Sequence, residues 1–299
     1  MKSPQIPSSK PAQSLYLRHL KYAGLCALAV GICHSTVAAW LRLTWNDSRY
    51  SHLWMIPLLS AGLIYGSRRE IFAAVEGTAY GGIVVAIAGA VVCAVAQQAT
   101  ARWGDIDRLT AVMVAMVTLA AGLFRWCYGR QAWRAARFPM AFLVFMIPIP
   151  GGVLDKMVYF LQHGSAEVVE GLFTLLQISY LRSGMHFELP GLQIEIASEC
   201  SGIRSSIALF ILVVLIAHFA LHSWWRKLLL AASVIPLVLF KNGLRIATLC
   251  WLAIKVNPGF LSGRLHHGGG FVFFGLVLLV VIALSWALQR WETVCPGSK

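Results

Sequence analysis

The sequence predicts an all-α integral membrane protein with about eight transmembrane helices, and three observations support this fold class. The chain has 299 residues, of which 58% are hydrophobic and only 12% are charged, whereas charged residues make up about 25% of a typical soluble domain. The mean hydropathy is +0.71. Several apolar runs reach the roughly 20 residues that a helix needs to cross a bilayer. The sequence therefore excludes a soluble enzyme.

The basic residues have a distribution that is typical of membrane proteins. The formal net charge is +13, but the lysines and arginines lie in short loops beside the apolar runs. This is the positive-inside pattern, which assigns those loops to the cytoplasmic side. The charge therefore indicates membrane lipid as a partner and does not indicate nucleic acid.

The cysteines indicate neither a disulfide framework nor a metal site. The chain has seven of them, an odd number, and most lie inside apolar runs, where a thiol behaves as a small buried hydrophobic group. No CxxC pair and no Cys/His spacing typical of a zinc site occurs. We expect no metal and no cofactor.

The apolar runs predict three parts of the chain. These are a cytoplasmic tail over residues 1–21, a single membrane domain over 22–290 and a C-terminal tail over 291–299. The predicted spans are 22–41, 52–66, 72–97, 109–126, 138–149, 200–221, 226–256 and 270–290. The loop charges alternate along the chain, so that each span leads to the side opposite the last.

The span 226–256 has two interpretations. Two short spans would leave the following loop, 257–269, in the cytoplasm, whereas one long helix interrupted near Pro236 or Asn242-Gly243 leaves that loop outside. Because residues 246–256 are too few to cross a bilayer alone, the sequence favours one helix.

A small amphipathic cap on the periplasmic side is predicted at about residues 151–199. Between residues 154 and 181, polar residues recur at steps of three, four and seven, as on an amphipathic helix that lies at the membrane surface or packs on other helices. The segments 187–189 and 192–196 then alternate in polarity on either side of a Pro-Gly turn. This pattern predicts a β-hairpin.

Three polar groups converge on one face of the membrane in this topology. Cys200 begins one predicted span, and Arg245 lies about 19 residues, or about 28 Å, into the next. His266 and His267 precede the last span from the same side. Each group also has a structural interpretation: the thiol as packing, the guanidinium as an anchor that reaches the surface, and the histidines as an interfacial loop.

Together the three groups form a set suited to nucleophilic catalysis by a thiol. A free thiol has a pKa of about 8.5, so a nearby imidazole or guanidinium is needed to populate the thiolate. A base within hydrogen-bond reach of the thiol completes such a nucleophile. Arg245 stays charged and offers several donors, which suits a thiolate or an oxyanion. Asn242 lies one helical turn from Arg245.

Four blocks of the sequence resemble the exosortases, within the exosortase/archaeosortase family. The blocks are Tyr50-Ser51-His52 with Pro57-Leu58, Glu199-Cys200-Ser201-Gly202-Ile203-Arg204-Ser205-Ser206, Lys241-Asn242-Gly243-Leu244-Arg245-Ile246, and Leu265-His266 with Gly270 and Phe273-Phe274. Residues 187–191 are similar to the usual lead-in to the cysteine. The likeness extends from about residue 45 to 275. Any one block is weak evidence, whereas four in the family's order are strong.

The resemblance implies a membrane cysteine protease or transpeptidase in the inner membrane of a bacterium, with its active site facing the periplasm. It makes Cys200 the nucleophile, Arg245 the electrostatic partner and His266 the acid/base. The residues that it implies as supporting or substrate-binding are Ser201, Gly202, Arg204, Asn242, His267, Tyr50 and His52.

The resemblance also implies the kind of substrate. Family members act through a thioester on exported proteins that carry a Pro-Glu-Pro-like (PEP-CTERM-like) motif, a hydrophobic helix and a basic tail at the C-terminus. The setting that it implies is protein sorting, often tied to exopolysaccharide export.

Two other classes of function stay open at the level of the residues. A membrane transporter or scaffold could line a pathway with Arg245 and would not need Cys200. A lipid-linked sugar or acyl transferase would need acidic residues near the phosphates. The glutamates available for that role are Glu167, Glu170, Glu195 and Glu199.

Overall fold

The computed structural model describes residues 10–73, 75, 77–98, 104–257, 259 and 270–294. The side chains of residues 10–14, 199–200 and 293–294 lie outside that description. The chain divides into two compact units, Met1–Gly151 and Gly152–Lys299. Both units are built mainly of helices, which confirms the predicted fold class.

The first unit contains seven of the helices that the structure describes, joined by short turns. They are α1 Lys10–Ile32, α2 His34–Asn46, α3 Met55–Gly66, α4 Arg68–Ala73, α5 Tyr80–Gln98, α6 Asp105–Ala135 and α7 Arg137–Phe142. Short 3-10 turns cover Ser48–Tyr50 and Leu143–Met146.

The helices α5 and α6 pack closely because small residues lie between them. A Cβ on Gly82 would come within 2.5 Å of the Trp126 backbone nitrogen, and a Cβ on Gly122 would overlap the Ala86 backbone. Small residues let two membrane helices approach closely enough for extensive van der Waals contact, since lipid supplies no hydrophobic force between helices. These glycines therefore set the distance between α5 and α6.

The second unit combines long helices with a small sheet. Its elements are α8 Gly151–Leu175, β1 Leu181–Ser183, β2 His186–Leu189, β3 Leu192–Glu195, a 3-10 turn Ser198–Ser201, α9 Ile203–Ala220, α10 Trp224–Lys255 and α11 Gly270–Val294. The strands pair antiparallel in the order β1-β2-β3, with Leu189 opposite Leu192 at the hairpin turn. The predicted hairpin and the predicted single helix over 226–256 are both confirmed, but α10 continues without the interruption that was predicted near Pro236 or Asn242-Gly243.

The cap formed by α8 and the sheet has its own apolar core. Phe173 of α8 and Phe187 of β2 are fully buried and meet edge to face, with ring centroids 5.8 Å apart. Arg182 on β1 forms ion pairs with Glu167 and Glu170 on α8. The pairing with Glu167 raises the pKa of Arg182 above its ordinary value. The strand β1 is therefore tied to α8 by charge as well as by the sheet.

The predicted count of eight spans is not confirmed. Within the described residues, five helices are long and apolar enough to cross a membrane, or up to seven if each of two bent helix pairs forms one span. The predicted span 52–66 corresponds to α3, which has only 12 residues. A helix of that length extends about 18 Å. The predicted span 138–149 is a short helix, Arg137–Phe142, followed by a 3-10 turn that ends at Met146.

The predicted first span, 22–41, is wrong as a single straight helix. The helix α1 begins inside the predicted tail and ends at Ile32, and α2 continues after a bend of 81°. At the bend, Cys33 leaves helical geometry, with φ −96° and ψ 20°. Its buried sulfur lies 3.2 Å from the Cys93 sulfur of α5. This contact is between distant segments, so hydropathy along the chain could not reveal it.

Other predicted boundaries also shift. The predicted helix 72–97 is divided into α4 and α5, and α6 exceeds its predicted range, 109–126, at both ends. The predicted amphipathic helix ends at Leu175, before Gln177, whose φ of 54° is left-handed. The strand β1 follows and was not predicted. Helix α11 begins where expected but extends into the predicted C-terminal tail.

Candidate functional site

The backbone of Cys200 lies at the N-terminal end of α9. It belongs to the 3-10 turn Ser198–Ser201, and Gly202 then caps the helix with φ 73° and ψ 14°. The cysteine side chain lies outside the part of the chain that the structure describes. Negative charge is stabilised near a helix N-terminus, and this position lowers the pKa of many reactive thiols. The turn therefore suits a residue that must carry a thiolate.

Gly202 is required here by its conformation and by its neighbours. A left-handed φ favours glycine over residues with a Cβ. A Cβ on Gly202 would lie 3.0 Å from the Asn242 Oδ1 atom and 3.7 Å from the Lys241 Nζ atom. The turn after Cys200 is thus in direct contact with α10. Gly202 and Lys241-Asn242 belong to two different sequence blocks that resemble exosortases. These blocks lie far apart along the chain, and this contact brings them together.

Asn242 links three segments of the second unit. Its side chain is fully buried, and its Nδ2 atom donates a hydrogen bond of 3.0 Å to the Ser165 hydroxyl on α8. Its Oδ1 atom faces Gly202. Ser165 is itself fully buried. Since buried polar groups must be hydrogen-bonded, this contact holds α8 and α10 in register beside the Cys200 turn.

Lys241 is a part of the site that sequence reasoning did not single out. Only 4% of the residue is exposed, and its ammonium group donates a hydrogen bond to the Ser205 hydroxyl on α9. An ionisable residue within a membrane span is costly, and normally it serves a site. That signal was available in the sequence, because Lys241 stands inside a predicted span next to Asn242. Its contact with Ser205 was not.

Arg245 follows Lys241 by four residues on α10, so the two cations share one face of the helix. Arg245 is half-buried. Ser201 is fully buried, and its hydroxyl accepts a hydrogen bond of 3.4 Å from the Ile203 backbone N–H. The Lys241 ammonium beside the N-terminus of α9, with Arg245 one turn further along α10, forms a local environment that favours anions such as a thiolate or an oxyanion.

The other predicted residues have different positions. Arg204 is exposed in the first turn of α9. Tyr50 and His52 lie in the first unit, where the fully buried Tyr50 donates a hydrogen bond of 3.0 Å to the Ile149 carbonyl. His266 and His267 lie outside the described residues. No group of three His, Cys, Asp or Glu side chains within the described residues could hold a metal ion.

The fold and this site define a class: a multi-pass helical membrane protein with a polar site where three of its segments meet. Comparison with models of protein families identifies the family. The family model described as transmembrane exosortase (Exosortase_EpsH) matches residues 40–283. The chain therefore belongs to the transmembrane exosortase family. Neither the curated proteins nor the solved structures contain a match to it.

Replacing Gly202 with Ala should damage the site more than the same change at Gly191. Both glycines have a φ of 73°, so either substitution should cost about 1 kcal/mol for the left-handed backbone. Only at Gly202 would the new methyl group press on Asn242, whereas Gly191 has open space around it. We expect Gly202→Ala to lower the free energy of unfolding at least about twice as much as Gly191→Ala does. Thermal unfolding in detergent measures the difference, and equal shifts would show that the contact is not tight.

Proposed function

We propose that this protein is a membrane cysteine transpeptidase or protease that cleaves the C-terminal sorting signals of exported proteins. Cys200 is the nucleophile, Arg245 the electrostatic partner and His266 the acid/base. The observation that supports this most directly is the contact of Gly202 with Asn242 and Lys241. It joins the turn that carries Cys200 to the helix that carries Arg245.

The reaction proceeds through a thioester. The Cys200 thiolate attacks the scissile carbonyl carbon, and Arg245 donates hydrogen bonds to the oxyanion that forms. His266 donates a proton to the leaving nitrogen, the peptide bond breaks, and the C-terminal part of the signal departs. Water or an amine of an acceptor then attacks the thioester, and His266 accepts a proton from it. The thiolate is regenerated at the end.

The proposed substrate is an exported protein with a Pro-Glu-Pro-like motif, a hydrophobic helix and a basic tail. The site suits such a signal because it lies on helices that themselves qualify as membrane spans. A hydrophobic substrate helix in the same bilayer would present its end to Cys200 without leaving the membrane.

The proposed orientation puts Cys200 at the periplasmic face of the inner membrane. The turn between α9 and α10 is followed by Arg226 and Lys227, and such basic turns lie in the cytoplasm. Helix α9 has 18 residues, which span about 27 Å. Its other end, where Cys200 lies, would therefore be on the opposite side of the bilayer.

A trapped acyl-enzyme tests the function. Membranes that contain the full-length protein are mixed with a purified substrate that carries the signal, then quenched in acid. We expect mass spectrometry to find the N-terminal part of the substrate on the peptide that contains Cys200, released by hydroxylamine as a thioester is. The Cys250→Ala variant should form the same adduct. Cleavage of the substrate with the adduct on another residue, or with none, would contradict the mechanism.

A further inference from the structure

The first unit contains a cavity of about 230 Å³ whose lining is almost entirely arginine. We call it the arginine pocket. Its lining residues are Arg125, Arg130, Trp133, Arg134 and Arg137. They lie at the C-terminal end of α6 and the start of α7, a part of the first unit that the proposed function does not use.

A kink at Gly129 makes the pocket possible. In a regular helix Arg125 and Arg134, nine residues apart, would point in opposite directions, since each residue turns by about 100°. Gly129 has φ 89° and ψ −177° inside α6, a conformation essentially restricted to glycine. The kink redirects the last turns of α6. As a result, arginines from both sides of the break face one cavity.

The charge in the pocket is not neutralised by any ion pair within the described residues. None of the ion pairs among the described residues involves these four arginines. The Arg125 Nε atom is buried and has no hydrogen-bond partner within the described residues. The same guanidinium lies against Gly81, where a Cβ would come within 3.2 Å of its Nη2 atom. Like charges held this close repel one another, so a bound anion would lower the energy of the pocket.

We propose that the arginine pocket binds a phosphate group, supplied by the headgroup of an anionic phospholipid. Guanidinium groups bind phosphate oxygens through two parallel hydrogen bonds, which makes arginine the preferred partner of phosphate. The pocket lies at the end of α6, a candidate span, and the ends of spans lie at the level of lipid headgroups. Basic pockets between membrane helices are known to bind such headgroups. A soluble phosphate compound has the same chemistry and is the other source.

Lipid binding to the purified full-length protein tests this proposal independently of any proteolytic activity. The protein in neutral detergent is titrated with short-chain phosphatidylglycerol or with inorganic phosphate, and binding is followed by native mass spectrometry and by the melting temperature. We expect phosphatidylglycerol to raise the melting temperature by several degrees. The double variant R130Q/R134Q should bind it about 100-fold more weakly, at roughly tenfold for each charge-assisted hydrogen bond to phosphate that is lost. Both side chains are exposed, so the fold should survive.

Two further variants separate the pocket from general surface charge. R68Q/R69Q removes the same charge from exposed arginines on α4 and should leave lipid binding unchanged. R130K/R134K keeps the charge but loses the planar fork, and should bind with intermediate affinity. Stabilisation by inorganic phosphate that is lost in R130Q/R134Q would support the phosphate pocket and assign it a soluble ligand. Equal loss in R68Q/R69Q, or no response to either probe, would overturn the proposal.

Discussion

Replacing Cys200 with Ala should abolish the processing of a signal-bearing substrate while the protein remains folded and inserted in the membrane. In the proposed mechanism the thiolate forms the covalent intermediate, so its removal should slow cleavage by about 10⁴-fold or more, as the loss of a nucleophile does in other proteases. The turn Ser198–Ser201 itself would persist, since Gly202 and its contacts are unchanged. Accumulation of uncleaved substrate, followed by immunoblot, measures the effect.

Cys250→Ala is the matched control for this experiment. Cys250 lies on α10 in the same unit and is 1% exposed, packed in the apolar core with Phe173 and Phe187. Its loss should lower stability modestly, through a small cavity, and leave processing intact. Unchanged cleavage in Cys200→Ala would refute the enzymatic function and favour a transporter or scaffold, for which Cys200 is dispensable.

His266→Ala should also stop turnover, whereas His267→Ala should keep most of it. The sequence predicts a helix that begins near residue 265, and adjacent residues of a helix point about 100° apart, so we expect only one of the two imidazoles to face Cys200. The resemblance to exosortases aligns His266 with the catalytic position. General acid-base catalysis contributes about 10²- to 10⁴-fold, and this is the loss that we expect for His266→Ala in an assay of initial cleavage rates.

The dependence of the reaction rate on pH is a second test of the role of His266. After His266 has given its proton to the leaving nitrogen, it must stay neutral to accept one from the attacking nucleophile, so turnover should decline as the pH falls through the ordinary imidazole pKa of about 6.5. In His267→Ala this decline should persist. The reverse behaviour of the two Ala variants would assign the role to His267. If neither variant loses activity, Arg245 activates the thiol without a histidine.

Several features of this protein were determined by its sequence alone. The low charged fraction and the apolar runs are sufficient to predict a helical membrane protein, because a bilayer requires that composition. The length rule that rejected residues 246–256 as a span also predicted one helix in place of two short spans over 226–256. Alternating polarity around a Pro-Gly turn predicted the hairpin of β2 and β3. Each of these follows from a local property of the chain.

Other features were decided by contacts between distant segments. The bend at Cys33 coincides with a contact to Cys93 on another helix, and β1 exists because β2 lies beside it. The short helix α3 was predicted as a span because hydropathy measures composition but not where a helix ends. This is one reason why the predicted eight spans exceed the five to seven candidate spans among the described residues.

The candidate site at Cys200 and the arginine pocket also depend partly on the sequence and partly on the tertiary structure. Residue types and their order were enough to select Cys200 and Arg245, but the approach of Asn242 and Lys241 to Gly202 depends on how α9 and α10 pack. The arginines after Arg125 appear in the sequence only as a basic loop. The kink at Gly129 gathers them around one cavity, because a single left-handed residue changes the direction of every side chain that follows it.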